Sequence, residues 1–263
     1  MRKNRFLLNF AWELKNLFRF PFPEILLALF TFMTFLQRPF LSTGNIILGD
    51  MPWQFITRQV AIFSAFWTGD FSVEAYIPLV IFGSIFATLA FAHEIENGLL
   101  KVHLSHPTSK RVIYMSKWLS CFLALFTTLS CALLFFAFLY VPQNGFYMVM
   151  NSDMVSGILV LAALETFFVV SVTVSFSLFS RKTSISLVGS FATLYIVQLL
   201  SGTSGLTFLP PASFQNQSSS MFALSSSPFA NLFALPQFFA VPLFSAVLTV
   251  VSYIYFSRRM ELA

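Results

Sequence analysis

The chain has 263 residues, of which 57% are hydrophobic and only 10% charged, and its mean hydropathy is +0.79. A soluble domain spends roughly a quarter of its residues on charges to cover a water-facing surface, so this composition excludes an ordinary soluble globule. A formal charge of +5 would suit a nucleic-acid binder. In a chain this apolar, however, the position of each charge says more than the sum, and no nucleic-acid partner is expected.

Residues 1–20 are too charged to span a membrane. Leu7, Phe10, Ala11, Leu14, Leu17 and Phe18 recur at helical spacing, with Asn9, Glu13 and Asn16 opposite. The pattern predicts an amphipathic helix lying in the interface, where Arg2, Lys3, Arg5, Lys15 and Arg19 suit anionic headgroups. It serves either as an elbow bordering a partner or as a simple topology anchor. Pro21 and Pro23 break it. The first apolar run begins near Ile25, after the charged segment, and no small-residue cleavage site follows it, so no cleavable signal is expected.

Six apolar blocks then follow, each long enough for a hydrocarbon core of ~30 Å: 24–41 (bounded by Arg38 and Pro39), 75–93, 118–141, 155–179, 184–201 and 238–257. The expected fold is an all-α, polytopic membrane protein forming one transmembrane domain over 1–263. Lysine and arginine placement tests the layout. The N-terminal segment, the 94–117 loop (Lys101, Lys110, Arg111, Lys117), Arg181–Lys182 and Arg258–Arg259 all fall on one side. Arg38 and Arg58 alone fall on the other. Both termini are therefore expected in the cytoplasm, with the chain in the cell membrane.

The loop between the first two spans carries Trp53, Phe55, Ile56, Val60, Phe63, Phe66 and Trp67, which suggests a short helix in the outer interface. The Ser- and Pro-rich 202–237 segment has apolar islands at both ends and suits short re-entrant helices, which need protein or water around them at membrane depth. Asn216-Gln217-Ser218 matches a glycosylation acceptor, a three-residue pattern of low specificity. The two halves show no sequence repeat of the kind found in many secondary transporters. Cys121 and Cys131 are the only cysteines. Ten helical residues hold them ~15 Å apart, beyond disulfide reach, so both read as packing residues.

The 91–120 stretch, FAHEIENGLLKVHLSHPTSKRVIYMSKWLS, is the most informative. Acids Glu94 and Glu96 open it, Gly98 turns it, and Leu99, Leu100, Val102 and Leu104 give it an apolar ridge amid charge. Such a ridge on an exposed loop calls for another surface to cover it. Pro107-Thr108-Ser109-Lys110-Arg111 then leads to a helix entering the membrane at Lys117.

In order and type, Glu94, Glu96, Gly98, Leu100, Leu104, Pro107, Ser109, Lys110–Arg111 and Lys117 resemble the loop after the second span in the membrane subunits of ABC-2-type ABC transporters. Leu99 stands where Ser or Thr is commoner, and Lys110 precedes Arg111 where a single Arg is usual, which leaves the cap of the loop helix open. The resemblance extends to the overall plan of interfacial helix, six spans and a long segment before the last. It implies that 94–117 is a coupling element docking on a separate cytoplasmic ATPase subunit. Glu94 and Glu96 would then meet basic residues, and Leu99, Leu100 and Leu104 would fill a groove. It further implies pairing of two such chains, identical or similar, around a transport pathway, with export driven by ATP and magnesium on the partner.

This chain is not expected to be an enzyme. The nearest string to a phosphate-cradling loop, Gly44 to Met51, lacks the required Lys and hydroxyl. Glu165 is the one acid near the middle of a span, where an ionisable group costs ~2.5–3.5 kcal/mol. It either lines a substrate or proton pathway or is a packing residue hydrogen-bonded near Ser171, Thr173 or Ser175. His93, His103 and His106 lack the spacing of a metal site, and headgroup or partner contacts explain them better. The 36 phenylalanines are scattered over every span as packing and lipid-facing surface. Two rival functions remain open: a membrane scaffold that docks another factor on the same loop, and an ion-driven carrier centred on Glu165.

Overall fold

The computed structural model describes residues 3–19, 21–36, 71–100, 102, 109–140, 152–202, 206–214, 216 and 237–259. The elements are α1 (Lys3–Leu17), α2 (Phe22–Leu36), α3 (Phe71–Ala87), α4 (Lys110–Tyr140), α5 (Ser152–Ser180), α6 (Thr183–Ser201) and α7 (Gln237–Arg259). α3 continues without a break through a π-helical turn, Thr88–Ala92, into His93–Glu96. There is no strand among the described residues.

Five of these helices are long and apolar enough to cross a membrane, over Tyr76–Glu96, Lys110–Ala132, Leu159–Ser180, Thr183–Ser201 and Phe238–Arg258. The chain is thus an all-α protein with the make-up of a multi-pass membrane protein. The expected spans from 155–179 onward agree with α5, α6 and α7 to within three residues. α2 is equally apolar, but its 15 residues cover only ~22 Å. Residues 37–41 of the expected first span lie outside the described residues, as do the interfacial helix expected over 53–67 and most of the 202–237 segment.

The largest departure is at α4. The sequence reading starts that span at 118 and treats 94–117 as a loop whose last part leads to a helix entering the membrane at Lys117. The helix instead begins at Lys110, and Lys117 lies inside it, fully buried. Its charge is met there by carboxylates from two other helices.

α5 is the hub, packing along α3, α4, α6 and α7. Its buried Val169, Val170 and Val174 share one core with Leu79, Val80 and Phe86 of α3 and Leu125 of α4. Helix α3 approaches α5 closely because Gly83 has no side chain: a Cβ there would stand 2.7 Å from Val169 Cγ1. Three buried hydroxyls on α5 are satisfied within the helix. Thr166 donates to Ala162 O, Thr173 to Val169 O and Ser175 to Ser171 O, as an environment without water requires. α6 and α7 turn Val188, Ile196 and Leu199, and Leu243, Val247 and Val250, outward, a surface suited to acyl chains. Cys121 is buried, Cys131 exposed, and both are free, as the spacing predicts.

Helix α1 packs along α4, but with a different face from the one the periodicity suggests. Glu13, expected on the polar side, is buried together with Leu17, while Leu7, Leu8 and Trp12 are exposed. An outward apolar edge beside the basic Lys15 and Arg19 still suits a membrane interface.

Candidate functional site

The site grows from a stripe on α4. Ile113, Tyr114, Lys117, Trp118 and Cys121 are all buried and follow one helical face. Four of them pack as expected for apolar or aromatic side chains, and the fifth is an ammonium. Lys117 Nζ lies 2.6 Å from Glu94 Oε1 on the extension of α3 and 2.6 Å from Glu13 Oε1 on α1. Taking three ionised groups out of water is costly, and geometry this tight is what offsets it. The triad therefore ties three helices together at one point.

One turn before Lys117, Tyr114 connects α4 to α7. Its hydroxyl donates to Thr249 O at 3.1 Å and lies 2.6 Å from Ser252 Oγ, while its ring sits among Phe91, Tyr253 and Phe256. Lys110 Nζ reaches Ser257 O at 3.3 Å. The N-terminal half-turns of α4 are thus fixed to α1, α3 and α7 together.

A second connection runs through hydroxyls. Thr88, the first residue of the π-helical turn, lies 2.8 Å from Ser186 Oγ on α6, and Ser186 lies 2.7 Å from Ser177 Oγ on α5. In that turn the N–H of His93 donates to Thr88 O, five residues back. Such turns shift a helix's register and concentrate at functional positions. Where α3 ends, Glu96 is exposed, and its Oε2 accepts from Thr183 N at 2.8 Å and from the Thr183 hydroxyl. The residue before Thr183, Lys182, supplies no side-chain cap, so Glu96 satisfies an orphan donor at the start of α6 from another helix.

Gly98 then reverses the chain at φ +71°, the only glycine among those described with a positive φ. Gly98 N donates to Ile95 O, and Asn97 N to His93 O. Beyond the turn the apolar ridge splits. Leu100 is 1% exposed and belongs to the core, whereas Leu99 and Val102 are 49% and 57% exposed. Lys110 is half-buried and Arg111 exposed. Leu104, Pro107, His103 and His106 lie outside the described residues.

Two expectations are corrected here. Glu94 does not face outward toward a partner's basic residues, because Lys117 of the same chain has drawn it inside. Leu100 does not stand ready to fill a groove, because the turn at Gly98 drives it back into the bundle. Sequence reasoning also missed Glu13 and the role of Lys117. The signal was present: a lone lysine in the middle of a buried stripe requires a carboxylate from elsewhere.

Glu165 is 3% exposed on α5, and its Oε1 has no hydrogen-bond partner. The hydroxyls expected beside it are engaged otherwise. Ser171 donates to Phe167 O and lies 3.0 Å from Thr249 Oγ1, while Thr173 and Ser175 bond to their own helix. His93 is exposed beside the Asn97 amide. No cluster of His, Cys, Asp and Glu fit to hold a metal occurs among the described residues. No family model matches the chain, and no curated protein matches it either.

Proposed function

We propose that the chain is the membrane-spanning permease subunit of an ABC-2-type transporter, an exporter driven by a separate cytoplasmic ATPase that carries ATP and magnesium. In this reading α2 opens a set of six spans, both termini lie in the cytoplasm of a cell whose plasma membrane holds the chain, and two such chains, identical or similar, pair around the pathway. The observation that supports it is the turn at Gly98. It presents exposed Leu99 and Val102 directly beside a helix end tied through Glu94, Lys117 and Glu13 to α4 and α1. Force applied at that ridge reaches three helices through short, stiff contacts.

The docking set is therefore Leu99, Val102 and Arg111, with Leu104 and Pro107 from the motif. Glu94, Glu96, Leu100 and Lys110 hold the segment in place. The test is isolation of the tagged chain from its native membrane in mild detergent, with partners identified by mass spectrometry. A stoichiometric soluble protein bearing G-x-x-x-x-G-K-[ST], lost from the Leu99→Asp variant, is the expected result. Absence of any such protein would overturn the reading.

A second reading, an ion-driven carrier, draws on Glu165, whose enclosed Oε1 has no hydrogen-bond partner. It differs in requiring no ATPase, so transport in ATP-free proteoliposomes under an ion gradient would establish it in place of the first.

A further inference from the structure

Two buried polar groups, one on α3 and one on α5, are left without a hydrogen-bond partner. Tyr76 is 0% exposed and Glu165 is 3% exposed. The Tyr76 hydroxyl and Glu165 Oε1 are both fully enclosed and both lack a hydrogen-bond partner. They lie within electrostatic reach of one another. The helix register explains why: Gly83 sits on Val169, and going outward from that contact, Tyr76 comes seven residues before Gly83 and Glu165 four residues before Val169. Both steps return to the same helix face, so the phenol and the carboxyl lie on one contact line.

An enclosed polar group left unpaired costs ~1–3 kcal/mol, and two of them converging call for an explanation. A third group that bonds both would remove both penalties. The chemistry of that group follows from theirs. Paired with a cation, Glu165 is a carboxylate that accepts only, and the phenol oxygen can accept as well. The Ser171, Thr173 and Ser175 hydroxyls are already engaged on their own helix or on α7.

We propose that Glu165 and Tyr76 form a binding site, within the membrane-spanning bundle, for a primary ammonium group of an amphiphilic molecule. The ammonium donates one hydrogen bond to the Glu165 carboxylate and one to the Tyr76 oxygen, and its charge neutralises the acid. The rest of the ligand lies against the apolar side chains of α3 and α5. A quaternary ammonium carries the same charge without donors and satisfies neither oxygen. The inference goes beyond the ABC-2 reading and does not depend on it, because the site is internal to one chain.

The experiment uses the full chain in lipid nanodiscs, without ATP or any partner. Dicyclohexylcarbodiimide adds to protonated carboxyl groups in apolar surroundings, and the adduct at Glu165 is counted by peptide mass spectrometry. Decylamine should slow labelling of Glu165, decyltrimethylammonium should not, and Tyr76→Phe should weaken decylamine protection about tenfold, the scale of one hydrogen bond to a charged group. Equal protection by both amines, or none by either, would overturn the proposal. So would protection that follows pH alone, which would make the site a proton site. The wild-type competition decides the matter even if the variant fails to fold. Failure here would leave the ATPase pull-down unaffected, and the converse also holds.

Discussion

Glu13 and Glu94 share a single ammonium: each places Oε1 2.6 Å from Lys117 Nζ, although the two acids are eighty-one residues apart in the chain. The lysine side chain is fully buried and the two carboxylates are about a tenth exposed, so solvent screens the cluster only weakly. Lys117→Met removes the cation and strands two acids. Loss of one partner from a buried pair costs ~3–5 kcal/mol, and a large fall in the thermal midpoint of the detergent-solubilised protein is expected. Adding Glu13→Gln and Glu94→Gln to Lys117→Met should recover most of it. A single variant as stable as the wild type would show that the triad contributes nothing.

The α3–α5 approach depends on one missing side chain. Gly83→Ala puts a Cβ 2.7 Å from Val169 Cγ1, closer than real contacts allow, so the Val169 side chain or the helices must shift. Overpacking of this kind costs ~1–3 kcal/mol. Val169→Ala vacates the space, so the double variant should be more stable than the sum of the two single changes predicts, by ~0.5–3 kcal/mol of coupling. Additive midpoints would place the two residues out of contact.

How far the sequence foretold this arrangement depends on the kind of signal. Span positions were legible because each is a long local run, and α5, α6 and α7 sit where the apolar blocks put them. The start of α4 was not, because Lys117 reads as a boundary until Glu13 and Glu94 are known to reach it. Both come from distant parts of the chain, and a hydropathy pattern carries no information about which acid meets which base. α1 failed for the same reason. Its apolar stripe is real, but one buried ion pair outweighed it and rotated Glu13 inward. In the stretch after Glu96 the directions of the side chains were not legible, since a single positive φ at Gly98 decides that Leu99 faces out and Leu100 faces in.

That φ is itself open to test. Nothing lies within 4 Å of a Cβ at Gly98, so the cost of substitution is backbone strain alone. A left-handed conformation costs an ordinary L-residue ~1–2 kcal/mol, while Asn tolerates it better. Gly98→Ala should therefore lower the thermal midpoint modestly and Gly98→Asn less. If Ala were the better tolerated of the two, side-chain packing and not φ would govern the turn.

Leu99 and Leu100 are neighbours with opposite fates, and this separates docking from folding. At 1% exposure, Leu100→Asp buries a charge with no counter-ion, a change that costs several kcal/mol or forces protonation. It should lower the thermal midpoint sharply. Leu99 is half in solvent, and substitutions at such positions stay within about 0.5 kcal/mol, so Leu99→Asp should insert and melt as the wild type does. If the ridge is a docking surface, Leu99→Asp loses the ATPase at unchanged stability. A loss confined to Leu100→Asp would instead reflect collapse of the bundle and remove the ridge as the point of contact. Thermal midpoint and partner recovery, measured side by side on the two variants, decide between these outcomes.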